Sequence, residues 1–220
     1  MKLKLAAMVA TLLAWPQAAP AAGDLTAVRV GGDEIRVPVP DGYCPPEGRY
    51  ANIAQVTDAM DSQSITYLAL IDCEALAAGA NLRRYLFLRA PKAMADQKLT
   101  RAELIERMGP IPETPLNLAL GNPAWEQARA EAERAAGRKL KVGADMRPVA
   151  RDANGYYVAG VIRLSAGAEA RPTAVAVGAT VVKGHVLAVT SYIAGSDVEA
   201  LRETLDVAKA SAKAIAEANP

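Results

Sequence analysis

The sequence predicts an α+β domain, a mainly antiparallel sheet with helices packed on it, and three observations carry that reading. Residues 145–151 and 156–164 alternate around Asn154-Gly155, a dipeptide suited to tight hairpin turns, and residues 173–182 and 185–193 flank Lys183-Gly184 in the same way. Within the third of these strands Val175, Val177 and Val181 fall on one face, and Ala176, Gly178 and Val182 on the other. A strand without a polar face belongs in a sheet covered on both sides. Last, Val198, Leu201, Leu205, Ala208, Ala212 and Ile215 recur at helical spacing, with Arg202, Glu203, Asp206, Lys209 and Lys213 opposite them. Ser196 and Glu199 have the spacing of a capping box, so this helix should start there and pack across the sheet.

The earlier elements follow from similar signals. Residues 27–30 and 34–39 alternate around Gly31-Gly32-Asp33 and read as a hairpin. Pro38 and Pro40 cannot donate to a ladder, which places the second strand at an edge. Asp41-Gly42 turns the chain into Tyr43-Cys44-Pro45-Pro46. Ile53, Val56 and Met60 suggest a short helix over 51–61, and the apolar runs 65–71 and 85–88 suggest strands. Thr100 and Glu103 form a capping box before Leu104, Ile105 and Met108, and Gly109-Pro110 stops that helix. Residues 109–122 are Pro-rich and read as a loop. Asn122-Pro123 then opens a helix running to Gly137, exposed along most of its length because Trp125 is its one large apolar residue.

The N-terminus reads as a secretory signal peptide over residues 1–21. Lys2 and Lys4 precede an apolar run of 11 residues, Leu5 to Trp15, and Ala19-Pro20-Ala21 supplies the small residues of a cleavage site. A membrane span needs about 20 apolar residues, so no stable membrane insertion is expected; a buried N-terminal helix is the alternative. Residues 22–220 then form a single α+β domain in the periplasm or outside the cell. Loss of Lys2 and Lys4 takes the formal charge from +1 to −1, and such a near-neutral chain lacks the basic excess of a nucleic-acid binder. The two cysteines, Cys44 and Cys73, most simply form one disulfide in an exported chain, with free buried thiols as the alternative.

Few residues suggest chemistry. His185 is the one histidine and reads as a turn residue beside its strand; alone it cannot build a two-histidine metal site. There is no Gly-x-Ser-x-Gly elbow and no phosphate loop. Asp58, Asp61, Asp72 and Glu74 are the densest acids, and solvated helix and loop faces account for them better than a carboxylate pair does. Arg83, Arg84 and Arg89 are the densest bases and read as edge charges. Thus no catalytic, cofactor or metal residue is assigned, and no cofactor is expected.

The string from Glu34 to Cys44, the later Leu70-Ile71-Asp72-Cys73 and the closing hairpin and helix resemble exported proteobacterial proteins with a Mog1/PsbP-like layout. That resemblance implies an α/β/α sandwich and an accessory role beside another envelope protein; it supplies no functional residue and leaves the oligomeric state open. The functional expectation is an exported soluble accessory or binding protein of the bacterial envelope. One alternative is a small-molecule-binding domain with 109–122 as a lid over the sheet; a carboxylate-based hydrolase is another. The leader is directly testable: expressed in an exporting bacterium, the protein should have Ala22 as its first residue by intact mass, with Gly23 the next choice. A retained Met1 on exported protein would disprove cleavage.

Overall fold

The computed structural model describes residues 24–111, Ala130, Arg134, 141–165 and 170–220. The leader and segment 112–122 lie outside the described residues. So does the predicted helix to Gly137, apart from Ala130 and Arg134, which are helical and exposed. The described elements are β1 (Leu25–Val30), β2 (Asp33–Pro38), β3 (Tyr43–Cys44), α1 (Ile53–Met60), β4 (Ser64–Asp72), α2 (Cys73–Ala77), β5 (Arg84–Pro91), α3 (Arg101–Met108), β6 (Lys141–Asp152), β7 (Gly155–Ser165), β8 (Ala170–Val182), β9 (His185–Ala194) and α4 (Val198–Ala218).

Seven strands form one antiparallel sheet in the order β3-β4-β5-β9-β8-β7-β6, while β1 and β2 pair only with each other. The predicted α+β class therefore holds, with helices on a large antiparallel sheet. Both edges of that sheet are blunted: β3 is two residues long, and β6 carries Pro148 beside a register shift. The hairpin β1–β2 turns through Gly31 and Gly32, both at positive φ, and buries Val28, Val30, Ile35 and Val37 against the large sheet.

The first face of the sheet carries α4 and this hairpin. Helix α4 lies on β7, β8 and β9 and buries Ala200, Thr204, Ala208, Ser211, Ala212 and Ile215. The predicted stripe was too wide: Val198 is 70% exposed, and Leu201 and Leu205 sit at the flanks. The reason is distance. A Cβ on Gly178 of β8 would stand 3.3 Å from the Ala208 carbonyl oxygen, so helix and sheet meet through small residues where their backbones come closest. The helix cap also differs. Asp197, one residue beyond Ser196, accepts from the Ala200 amide at 2.8 Å, and its carboxylate favours the helix start through charge as well as hydrogen bonding.

The second face carries α1 over β4, and α3, whose Leu104 packs with Leu99, Val181 and Val186. The Thr100–Glu103 capping box forms as expected, and its hydrogen bonds hold the Glu103 carboxyl below its ordinary range. The hairpin β6–β7 departs from the predicted Asn154-Gly155 turn by one residue. Ala153 and Asn154 make the turn, Gly155 begins β7, and neither Asn154 nor Gly155 takes a positive φ. Asp152 accepts from the amides of Asn154 and Gly155, an Asx arrangement that competes with the turn an Asn-Gly pair favours. The β8–β9 turn matches expectation, with Lys183 and Gly184 both at positive φ.

Tyr43 and Cys44 of β3 pair with Asp72 and Ile71 of β4, and this brings Cys44 and Cys73 to disulfide distance with 5.2 Å between their Cα atoms. Non-reduced peptide maps should therefore contain one Cys44–Cys73 crosslinked species. Replacing both by serine should cost roughly 3–4 kcal/mol in reversible unfolding on the chain-entropy account. Free thiols on exported protein would contradict the pairing.

Candidate functional site

Alternation in the two central strands sets what each sheet face presents. On β5, Leu86 and Leu88 point to the α4 side, while Tyr85, Phe87 and Arg89 point to the second face; on β9, Ala188, Thr190 and Tyr192 join them there. Tyr192 stacks on Tyr85 with centroids 4.6 Å apart and meets Phe87 edge-on at 5.8 Å. Burial is the main reason the Tyr192 phenol is held above its ordinary range, and it does the same to Tyr85.

Beside this aromatic group the second face holds a cavity of about 270 Å³. Its described lining comes from all six long strands: Ser64 on β4, Arg89 and Pro91 on β5, Thr190 and Tyr192 on β9, Val175 and Val177 on β8, Ile162 on β7 and Met146 on β6. So the hollow is polar where β4, β5 and β9 meet and apolar toward β6, β7 and β8. The one charge in the described lining is Arg89, whose side chain is only 11% exposed. Its Nη2 stands 2.8 Å from Asp61 Oδ2, yet off the direction a hydrogen bond needs, so Coulomb attraction holds the pair while Nη2 and Nε lack hydrogen-bond partners. Thr66, opposite Arg89 in the β4–β5 ladder, likewise has a buried hydroxyl without a partner. Buried donors without a protein partner are uncommon and costly.

The residues singled out from the sequence fall in three separate places. Asp58 accepts from the Thr66 amide at 3.0 Å, and Asp61 pairs with Arg89, both on the second face. Asp72 stands at the other end of β4 and corrects the solvated reading. It is 7% exposed, caps α2 through the amides of Glu74 and Ala75, and takes Arg84 Nε at 3.2 Å. Arg84 also corrects the edge reading, because β5 lies between β4 and β9; its guanidinium sits 5.2 Å above the Tyr43 ring and 4.0 Å from Glu203. A cleft of about 380 Å³ opens beside this group, where Asp72 and Arg84 satisfy one another while Glu74 and Arg83 line it with no ion pair among the described residues. Glu74 is exposed, as the sequence reading held.

His185 is buried, 4% exposed, at the foot of the β8–β9 turn. Its Nε2 lies 2.8 Å from Asp33 Oδ2 and 2.7 Å from Lys98 Nζ, and Lys98 also reaches Asp33 at 3.2 Å and the Lys183 carbonyl at 3.3 Å. Gly31 lies so close that a Cβ there would overlap the ring. A histidine beside a carboxylate has the form of an oriented base. However, no hydroxyl or thiol among the described residues is hydrogen-bonded to it, and the ring is closed over by the Gly31 turn. The three side chains fasten the first hairpin, the 92–99 segment and the last turn to one another. Among the described residues no three His, Cys, Asp or Glu side chains are grouped to hold a metal, and no helix is long and apolar enough to cross a membrane.

The cavity escaped the sequence reading, although one signal was present. Arg89 follows Tyr85 and Phe87 at strand spacing, so a charge lies on an apolar face. Comparison with protein-family models and with curated proteins finds no match to this chain. The His185 group gives a pH test. Hydrogen bonds from His185, then from Lys98, hold the Asp33 carboxyl below its ordinary 3.8. A depressed folded-state value contributes stability above the unfolded value and loses it as pH falls through the folded one. The stability difference between wild type and Asp33→Asn in urea should therefore shrink as the pH falls below about 4. A difference unchanged down to pH 3 would contradict the assignment.

Proposed function

We propose that this chain is an exported, non-catalytic binding protein of the bacterial envelope, and that it holds a small molecule on the second face of its sheet. The cavity there carries the reading: six strands converge on a hollow with an apolar end and a polar end that includes the Arg89 guanidinium. Ligand sites have this composition, mostly apolar walls with a few convergent polar groups. Among the described residues no hydroxyl or thiol is hydrogen-bonded to His185, and Asp58, Asp61 and Asp72 have structural uses, which favours binding over hydrolysis. The Cys44–Cys73 pair at disulfide distance is consistent with an oxidising compartment. Helices on both faces of one antiparallel sheet support the Mog1/PsbP-like sandwich as the layout.

A thermal-shift screen tests this, using periplasmic metabolites and small amphiphiles against wild type and Val177→Phe. Phenylalanine at 177 adds bulk at the apolar end of the hollow. A ligand at a hundred times its Kd adds about 2.7 kcal/mol, or roughly 5–10 °C for a domain of this size. Compounds that shift wild type by this much should leave Val177→Phe unmoved. No shift of wild type with any class would overturn the proposal.

A further inference from the structure

We infer that the molecule held in this cavity is an uncharged amphiphile, a medium-length apolar chain ending in an ester, amide or similar carbonyl, whose oxygen accepts from Arg89. The inference rests on the binding function proposed above and deepens it.

The cavity's own polarity sets the orientation. Val175, Val177, Ile162 and Met146 offer only hydrocarbon and thioether, so the chain belongs over β6, β7 and β8. The head belongs at Arg89, with the hydroxyl-bearing Ser64, Thr190 and Tyr192 around it. A guanidinium is a donor without acceptor capacity, and Arg89 is the one charged residue in the described lining, so the head group that meets it is an acceptor. At about 270 Å³ the hollow lies at the small end of the range for ligand sites, which favours a chain of medium length.

Charge decides between a carboxylate and a neutral carbonyl. Arg89 already has Asp61 at 2.8 Å, so the pair is balanced before any ligand arrives. A carboxylate head would leave one net negative charge in a largely dehydrated place, beside an Asp61 that repels it. A carbonyl oxygen can accept from the guanidinium and adds no charge.

Equilibrium dialysis at pH 7.5 with methyl octanoate and sodium octanoate as probes tests this on the full mature protein. Wild type should bind the ester at least tenfold tighter than the carboxylate, and Val177→Phe should lose at least tenfold in ester affinity. Asp61→Asn removes the balancing charge but keeps Arg89, so octanoate should gain at least tenfold and become the preferred probe. The double variant Arg89→Met, Asp61→Asn removes the donor and its balancing charge together; it should still prefer the ester, because a carboxylate again stands uncompensated, but bind it at least tenfold more weakly than wild type. Near-UV circular dichroism verifies that each variant is folded. Octanoate binding wild type as tightly as the ester would overturn the inference and leave the binding function standing. Ester binding that survives Val177→Phe, or an octanoate affinity unmoved by Asp61→Asn, would overturn it as well. If wild type binds neither probe while the broader screen finds another ligand, this inference alone falls; failure of the whole screen removes the binding function too.

Discussion

The close approach of α4 to the sheet is the contact on which the remaining architecture depends. Ala159 and Ala176 on the strands meet Ala208 on the helix, Gly178 lies beside the Ala208 carbonyl, and Leu205 packs at the margin of this contact. Small residues give up the large apolar burial of a leucine and gain backbone proximity, with dispersion contacts summed over a long interface. Helix α4 thereby occupies the middle of one face and leaves the flank to the β1–β2 hairpin, whose Ile35 and Val37 join Leu70, Leu86 and Leu187 in one core. The second face has no comparable single element among the described residues. It is covered in pieces by α1 and α3, and the cavity lies on this piecemeal side.

Polar groups bind this assembly together at its rim. His185, Asp33 and Lys98 join three turns, and Arg84, Asp72 and Tyr43 join the start of β5 to the short β3. In each case the charged groups meet one another, so the charge is used up in holding elements in place. Arg89 behaves differently. Its charge is met by Asp61, but its directional hydrogen-bonding capacity is not. That difference separates Arg89 from Arg84, whose Nε donates to Asp72, and residue type alone does not reveal it.

Local signals explain why so much of the fold was legible. The hairpins, the two-sided strands, the capping box at Thr100 and the closing helix depend on neighbours within a few residues, where period and turn chemistry act directly. The errors arose where tertiary contacts overrode those signals. Asp152 took the amides that an Asn-Gly turn would otherwise arrange, Asp197 displaced Ser196 as a cap, and close packing put Ala200 and Thr204 inward in place of Val198. The site was less legible, because strand order decides it. Only the placement of β5 between β4 and β9 brings Arg89, Thr190 and Tyr192 together, and no spacing along the chain encodes that adjacency. Arg83, Arg84 and Arg89 look like one group in sequence, yet Arg84 and Arg89 serve opposite faces of the same strand.

Asn219 carries a consequence for when the molecule can finish folding. Its side-chain amide accepts from the Arg36 amide at 2.9 Å and donates to the Arg36 carbonyl at 2.7 Å, so it stands in for a neighbouring strand on the outer edge of β2. The same amide donates to the Ile215 carbonyl and closes the end of α4. The two residues so joined are 183 positions apart, whereas Cys44 and Cys73 are 29 apart. A chain threaded into an oxidising compartment from its N-terminus would thus have its covalent staple available early and its first hairpin unsealed until nearly all of it had arrived. Until then the exposed edge of β2 is a place where another strand, or a chaperone, can pair.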